Sequence, residues 1–153
     1  MPWLRCWWRS AGSPAPDFDL ADLAGRRHTL GTLLEGRRAL LVDFFYLDCA
    51  PCIAAFPVLE RLGEAHAAHG LGIVAVDRGD KPSALRRFAE ACARHTLILT
   101  AAEDDPIFFA YRVFAYPTTC LINAERHIAH RRWGGDAVAL EAAVARLVRR
   151  NTS

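Results

Sequence analysis

Two closely spaced cysteines are the residues of this sequence best suited to chemistry. Cys49 and Cys52 are separated by Ala50 and Pro51, directly after an apolar run and at the start of a segment with helical periodicity. A thiol at the N-terminus of a helix is stabilised as a thiolate by unpaired amide groups and by the helix dipole. Cys49 would then be the attacking nucleophile, and Cys52 the resolving thiol that releases a partner from a mixed disulfide. Pro51 fits an early helical position, where its missing N–H removes no hydrogen bond.

Two other interpretations of the pair compete with redox chemistry. A Cys-x-x-Cys pair also begins many zinc ribbons, but a ribbon needs a second close pair, and the other three cysteines of this chain are isolated. Alternatively, both thiols are small apolar core residues without chemistry. We favour the redox interpretation, because the pair lies where a buried strand runs into a helix.

The three remaining cysteines are far from the pair in the sequence. The total of five is odd, and five cysteines in 153 residues are too few for a disulfide-stapled scaffold. We expect Cys120 to be buried in a strand and Cys92 to lie on the inner face of a helix. Cys6 lies among three tryptophans, and we expect it to belong to a tail.

The elements around the pair predict an α/β domain. The apolar run 38–46 has the length of a strand buried on both faces. Apolar residues at three- and four-residue steps predict a helix over 52–69 that contains Pro57 and ends at Gly70. Further strands are predicted over 17–20, 27–30, 71–76, 96–100, 118–122 and 127–132, and further helices over 81–92 (with Ser83 as the cap), 105–111 and 137–150. This alternation indicates a mixed central sheet.

Composition and charge exclude several classes of protein. The chain has 153 residues, of which 52% are hydrophobic and 24% charged, and it fits one domain, for which we predict the limits 16–150 after a tail and linker over 1–15. Its net charge of +2 argues against a dedicated nucleic-acid-binding protein. The longest apolar stretch, 39–47, is far shorter than the about 20 residues that a membrane-spanning helix needs. The first ten residues lack the apolar segment of a signal peptide.

Four motifs in order resemble one known family. They are Val42-Asp43-Phe44-Phe45 before the cysteines, Pro57 after them, a Tyr-x-Val-x-x-x-Pro-Thr-Thr-x-Leu-Ile segment over 111–122, and Pro-Asp-Phe-Asp-Leu over 16–20 followed by a Gly-Arg hairpin. Over 16–133 the chain resembles the TlpA-like thiol–disulfide oxidoreductases of the thioredoxin superfamily. The resemblance implies a thioredoxin-like α/β fold, with a mixed central β-sheet flanked by helices and an N-terminal β-hairpin extension.

The resemblance also implies roles for residues outside the pair. Pro117 would follow a cis peptide bond and expose the backbone of Tyr116 to an extended substrate segment, whereas most prolines are trans. Asp43 would be a buried acid that moves a proton to or from Cys52 through water. The alternative for Asp43 is a carboxylate satisfied by a local polar partner.

The chain departs from the family beside the pair. Asp48 replaces the tryptophan that usually precedes the first cysteine. A carboxylate there disfavours the Cys49 thiolate, unless Asp48 is simply a solvated loop residue. We expect substrate contacts from Asp48 together with Ala50, Pro51 and Tyr116.

The helix after the pair also departs from the family, because it begins with apolar residues where relatives often carry charges. Ile53 and Phe56 would either provide an apolar surface for docking another protein or belong to the core.

The function predicted from these residues is thiol–disulfide exchange with a partner protein. The protein would most simply act as a reductase, and an upstream redox protein would reduce its disulfide again. Such exchange needs no metal and no organic cofactor, because the redox-active disulfide carries the electrons. A peroxiredoxin shares the N-terminal extension, but Tyr46 stands where that chemistry needs Thr or Ser. A copper-delivery module would space its cysteines by three and add a distant histidine, and the histidines here show no metal spacing beyond His66-x-x-His69.

The resemblance implies a periplasmic or other extracytoplasmic location. Because this sequence contains no signal peptide, a cytoplasmic location stays open. We expect a monomer that binds no nucleic acid and has no membrane span in this chain.

Overall fold

A seven-stranded mixed sheet with helices on both faces forms the domain. A computed structural model describes residues 12–134 and 137–149. Its strands are β1 (Asp19–Asp22), β2 (Arg27–Thr29), β3 (Ala39–Phe45), β4 (Leu71–Arg78), β5 (Leu97–Ala101), β6 (Thr118–Asn123) and β7 (Ile128–Trp133). Its helices are α1 (Leu30–Leu34), α2 (Ala50–His66), α3 (Pro82–Cys92), α4 (Pro106–Ala110) and α5 (Ala137–Arg149). The strand order is β2-β1-β5-β4-β3-β6-β7.

Strand β3 lies near the centre of the sheet and leads to the cysteine pair. It runs parallel to β4 and antiparallel to β6, and all its residues are buried. Its side chains alternate between two hydrophobic cores. One core lies against α1 and α4, and the other lies against α2, α3 and α5. Since β3 ends at Phe45, the pair follows at the carboxyl end of the parallel strands.

Helix α2 begins one residue after Cys49, as its position in the sequence predicts. Pro51 lies in the first turn, and Pro57 lies inside the helix. The predicted helix runs to residue 69, but α2 ends at His66 and a single 3₁₀ turn covers residues 67–69. Gly70 ends this segment with φ of 90°, a left-handed conformation that glycine adopts without strain.

Helix α1 is absent from the sequence prediction, which placed a strand over 27–30. The strand ends at Thr29 because Thr29 caps a helix that begins at Leu30. Its hydroxyl accepts the Thr32 N–H at 3.1 Å, while the Thr32 hydroxyl accepts the Thr29 N–H at 2.9 Å. This reciprocal capping stabilises a helix that is too short to show apolar periodicity.

Two predictions about α3 are wrong. Ser83 does not cap the helix, because Lys81 occupies the N-cap position without a side-chain bond and Pro82 opens the first turn. Cys92 does not line the inner face, because it is the last residue of α3 and is exposed. Leu85 is the residue of α3 that is fully buried.

The segment before β1 is bound to the far edge of the sheet. Ala15 N–H donates to the Arg126 carbonyl at 2.8 Å, and Ile128 N–H donates to the Ser13 carbonyl at 2.8 Å. The Tyr111 hydroxyl donates to the Pro16 carbonyl at 2.6 Å. The domain limit at residue 16 stays a prediction, and Cys6 and Arg150 lie outside the described residues.

Within residues 12–134 and 137–149, no helix combines the length and the apolar character needed to cross a membrane.

Candidate active site

Cys49 and Cys52 form a disulfide at the N-terminus of α2, with their Cα atoms 5.2 Å apart. Cys49 is the N-cap, and its sulfur accepts the Cys52 N–H at 3.3 Å. An amide that donates to this sulfur in the disulfide also stabilises a thiolate there after reduction. Both residues are buried, Cys49 at 4% exposure and Cys52 at 0%, so Cys49 is the more accessible residue of the pair.

Aromatic residues link the pair to the proline segment. The Cys49 N–H donates to the Tyr46 carbonyl at 3.2 Å, and the Tyr46 ring packs edge-on against Tyr116, with centroids 5.2 Å apart. Tyr116 precedes Pro117 across a cis peptide bond, as the resemblance implied. The loop before the pair and the start of β6 therefore meet.

A cation lies over both tyrosine rings. The Arg78 guanidinium carbon is 5.6 Å from the centroid of Tyr46 and 5.3 Å from that of Tyr116. Arg78 also forms a 2.7 Å ion pair with Glu103. Burial raises the pKa of Tyr116, and the Arg78 charge opposes that shift.

Asp43 is a buried acid on the sheet face that α2 covers. It lies between Leu41 and Phe45, which pack in the same core as Cys52. The Thr119 hydroxyl donates to Oδ1 at 2.9 Å, whereas Oδ2 has no hydrogen-bond partner among the described residues. Burial raises the pKa of Asp43 to about 7, and the Thr119 bond opposes this shift. The carboxyl group is thus half satisfied and titrates near neutral pH.

The predicted contact residues surround the pair. Asp48, Ala50 and Pro51 are exposed around the disulfide, and Tyr116 is partly exposed. The side chain of Ile53 is half-buried, whereas Phe56 is a core residue. Both line a groove between α2 and α3 together with Pro57, Glu60, Phe88 and Cys92.

Sequence reasoning missed two acids near the site. Asp77 is fully buried near the end of β4, and Asp80 lies in the following loop. For Asp77 the signal was similar to that of Asp43, a carboxylate next to an apolar run, whereas Asp80 lies in a loop and gave no such signal. Cys120 is buried in β6 as predicted, and burial raises the pKa of its thiol to about 11, so it stays an inert thiol.

No group of three or more His, Cys, Asp or Glu side chains within the described parts of the chain could hold a metal ion. His66 and His69 face each other with ring centroids 6.2 Å apart, and they have no third ligand among these residues.

Comparison with known proteins places the site in a family. A model of the AhpC/TSA family matches residues 11–131. The chain belongs to the AhpC/TSA family. The thiol–disulfide oxidoreductase ResA of Geobacillus thermodenitrificans is 35% identical over 114 residues, which are 74% of this chain and 64% of that protein. ResA of Halalkalibacterium halodurans is 32% identical over 127 residues, which are 82% of this chain and 69% of that protein. The predicted resemblance to thiol–disulfide oxidoreductases is therefore confirmed.

The chain spans 64% of the length of the Geobacillus thermodenitrificans relative and 63% of Bacillus subtilis ResA.

Solved structures confirm the thioredoxin-like fold. A putative thiol:disulfide interchange protein DsbE from Chlorobium tepidum superposes with a TM-score of 0.82 at 22% identity, over 92% of this chain and 99% of that one. The thioredoxin domain of a thiol–disulfide oxidoreductase from Bacteroides vulgatus has a TM-score of 0.80 at 24% identity, covering 91% of this chain and 98% of that one.

Proposed function

We propose that this protein is a thiol–disulfide oxidoreductase that exchanges the Cys49–Cys52 dithiol or disulfide with a partner protein. The disulfide at the N-terminus of α2 carries this proposal, because its first sulfur already accepts a helix amide. The family of the chain and its ResA relatives support the same chemistry.

The reaction begins at Cys49. In the dithiol form, its thiolate attacks one sulfur of the partner's disulfide, so that a mixed disulfide forms and the partner's own S–S bond breaks. The second partner sulfur leaves as a thiolate and takes up a proton. The Cys52 thiolate then attacks Cys49 Sγ, which restores the Cys49–Cys52 bond and releases the first partner sulfur. Two electrons have passed to the partner.

Asp43 serves the second step. Cys52 is fully buried, so its thiol loses a proton only if a nearby group accepts it. The Asp43 carboxyl lies in the same core region, titrates near neutral pH and has one oxygen without a hydrogen-bond partner among the described residues. Through water, that oxygen accepts the proton of Cys52 during resolution and returns it during reduction.

The partner's extended segment lies against the cis-proline. An exposed backbone at Tyr116 pairs with such a segment in the manner of an added strand. Ala50 and Pro51 provide a small, exposed apolar surface beside the disulfide, and Asp48 contributes a negative charge.

The direction of exchange that we propose is reduction of the partner. Burial of both sulfurs and the Asp48 carboxylate disfavour a thiolate at Cys49, which favours the disulfide form and makes the dithiol a reductant. An upstream redox protein would restore the dithiol. Outside the cytoplasm, where disulfides form and persist, a reductase of this kind would act on exported proteins. We propose this location and a monomeric state for the chain.

The test compares insulin disulfide reduction by the parent protein with that by Cys49→Ser, Cys52→Ser and the double variant. Cys92→Ser is the matched control, because it removes an exposed thiol outside the pair. We expect the single variants and the double variant to lose activity and Cys92→Ser to retain it. After mild reduction, alkylation should label two additional thiols in the parent and none in the double variant.

Unchanged insulin reduction in the double variant would refute the proposal. Peroxide consumption with a thiol donor is measured in parallel, and rapid consumption without insulin reduction would assign the chain to the peroxidases instead.

A further inference from the structure

A second buried carboxyl group lies beside the active-site loop and has no part in the mechanism above. Asp77 is 0% exposed and pairs in register with Phe45, the last residue of β3. Asp43 pairs with Ala75, two residues earlier on β4. Because side chains alternate along a strand, Asp43 and Asp77 face the same side of the sheet, the side that α2 covers.

Asp77 is connected to the active-site loop through Asp80. Asp77 Oδ2 accepts the Asp80 N–H at 2.8 Å, and Asp80 Oδ2 accepts the Leu47 N–H at 2.8 Å. Leu47 lies two residues before Cys49. The Asp80 side chain therefore holds the turn before the nucleophile, and the backbone N–H of Asp80 in turn donates to Asp77.

Among residues 12–134 and 137–149, no cation forms an ion pair with Asp77 or Asp80. Arg78 is directed at Glu103, at 2.7 Å, and at the two tyrosine rings. Asp43 on β3 accepts a hydrogen bond from Thr119. Thr100 pairs with Asp77 from β5, but its hydroxyl donates to the Ala21 carbonyl.

Two basic residues that follow Asp80 in the chain do not pair with either carboxyl group. From α3, Arg86 reaches the Leu23 carbonyl at 3.5 Å, and Lys81 is exposed. Asp77 Oδ1 has no hydrogen-bond partner within the described chain.

A proton on Asp77 removes one of the two negative charges. Burial, followed by the side chain of Asp80, raises the pKa of Asp77 to about 7. While Asp77 keeps its proton, the two neighbouring carboxyl groups carry a single negative charge, whereas loss of that proton leaves two negative charges side by side.

We propose that a proton on the buried Asp77 carboxyl group keeps Asp80 in place, and that Asp80 in turn positions the turn over residues 46–48, which presents Cys49 to its partner. Both are positioning residues for the exchange proposed above, and the inference rests on that function. When the proton is lost, the two carboxylates repel each other. Asp80, which is partly exposed, then turns towards water and releases the Leu47 amide.

The first test measures hydrogen exchange at the Leu47 amide of the oxidised full chain by NMR, at pH 6 and at pH 8.5. In the parent we expect the protection factor to fall by about tenfold or more between these pH values, as Asp77 loses its proton. Asp77→Asn cannot ionise at residue 77, so its Leu47 protection should stay constant. Asp80→Ala should lack the protection at both pH values.

The second measurement is the rate at which dithiothreitol reduces the disulfide, expressed as the ratio of Asp77→Asn to parent at each pH. This ratio cancels the titration of the reductant. It should rise several-fold from pH 6 to pH 8.5. Equal Leu47 protection in parent and Asp77→Asn at both pH values would overturn the role of the Asp77 proton, and a constant rate ratio would overturn the positioning role. Neither outcome depends on insulin reduction, so a failure of the proposed function is recognised separately.

Discussion

Asp43 and Asp77 are costly residues in adjacent strands, because each places a carboxyl group in an apolar core. Burial raises the pKa of both groups to about 7. A carboxyl group whose folded pKa is raised binds its proton more tightly in the folded state than in the unfolded chain. Its contribution to stability is fully present below the unfolded pKa and is lost as pH rises to about 7.

Asp43→Asn tests this linkage at the residue scale. The variant should be more stable than the parent at pH 8, by up to about 4 kcal/mol, because it avoids a buried charge. The difference should shrink towards pH 4, where Asp43 is neutral. Urea denaturation at the two pH values measures it.

The same variant should also reduce insulin more slowly, because it cannot accept the proton of Cys52. Thr119→Val provides the control, since removing the bond that opposes the pKa shift should move the titration of Asp43 to higher pH. A stability difference between Asp43→Asn and the parent that does not change with pH would contradict the assignment.

Arg78→Gln tests the cation over Tyr46 and Tyr116. A stack of this kind at a partly exposed site contributes about 0.5–1 kcal/mol to stability. Because the Arg78 charge opposes the rise in the pKa of Tyr116, its removal should raise that pKa further, which absorbance at 295 nm detects. We expect weaker substrate binding, seen as a higher KM. Arg86→Gln, on the exposed face of α3, should change neither quantity.

Helix α2 must approach the segment before β5 closely, and Gly63 permits this approach. A Cβ atom at Gly63 would overlap the Cβ atom of His95. The segment cannot easily move away, because Glu60 of the same helix accepts the backbone N–H groups of Arg94 at 3.0 Å and His95 at 2.9 Å. The helix and this segment therefore pack at a fixed distance.

Gly63→Ala should destabilise the protein by about 1–2 kcal/mol, although alanine has the higher helix propensity, because overpacking outweighs the gain. Chemical denaturation gives the value. In the His95→Gly background, where the opposing Cβ atom is absent, the same substitution should become neutral or stabilising. Equal costs in both backgrounds would show that the contact with His95 is not the cause.

The elements of the fold were predictable where periodicity extends over many residues. All seven strands and helices α2 to α5 appear in the sequence pattern, whereas α1 does not, because five residues are too few to show a period. The exposure of Cys92 was missed because it ends α3, where an apolar position no longer faces the core. The Cys49–Cys52 pair and Asp43 could be identified from the sequence, because Asp43 is a charged residue within an apolar run and the two cysteines directly follow that run. The Asp77–Asp80–Leu47 connection joins separate segments and needs the fold.

At the scale of the whole molecule, the strand order decides what the site can contain. Strand β1 comes first in the chain but pairs with β5, and β3 lies between β4 and β6. This order brings the loops after β3 and β4 together beside the cis-proline before β6. Local patterns carry no record of such long-range pairing, so the convergence of Tyr46, Arg78 and Tyr116 could not be predicted from the sequence.

The relative stability of the oxidised and reduced proteins tests the direction of exchange. A thermodynamic cycle links the two redox forms to their unfolded chains. If the folded state favours the disulfide more than the unfolded chain does, the free energy of unfolding is larger for the oxidised protein than for the reduced protein by the same amount. Burial of both sulfurs and the charge of Asp48 disfavour the Cys49 thiolate, so the fold should favour the disulfide.

We therefore expect the oxidised form to be more stable at pH 7 by about 2 kcal/mol or more, the order expected for closing even a short loop. Urea denaturation with and without reductant measures this difference, and the Cys49→Ser, Cys52→Ser double variant should show none. Each 1.4 kcal/mol corresponds to about 30 mV in the potential of a two-electron couple, so the same value predicts the measured potential of the pair. A reduced form more stable than the oxidised form would mean that the N-terminus of α2 outweighs burial and Asp48. The pair would then oxidise its partners, and the exchange chemistry would stand with its direction reversed.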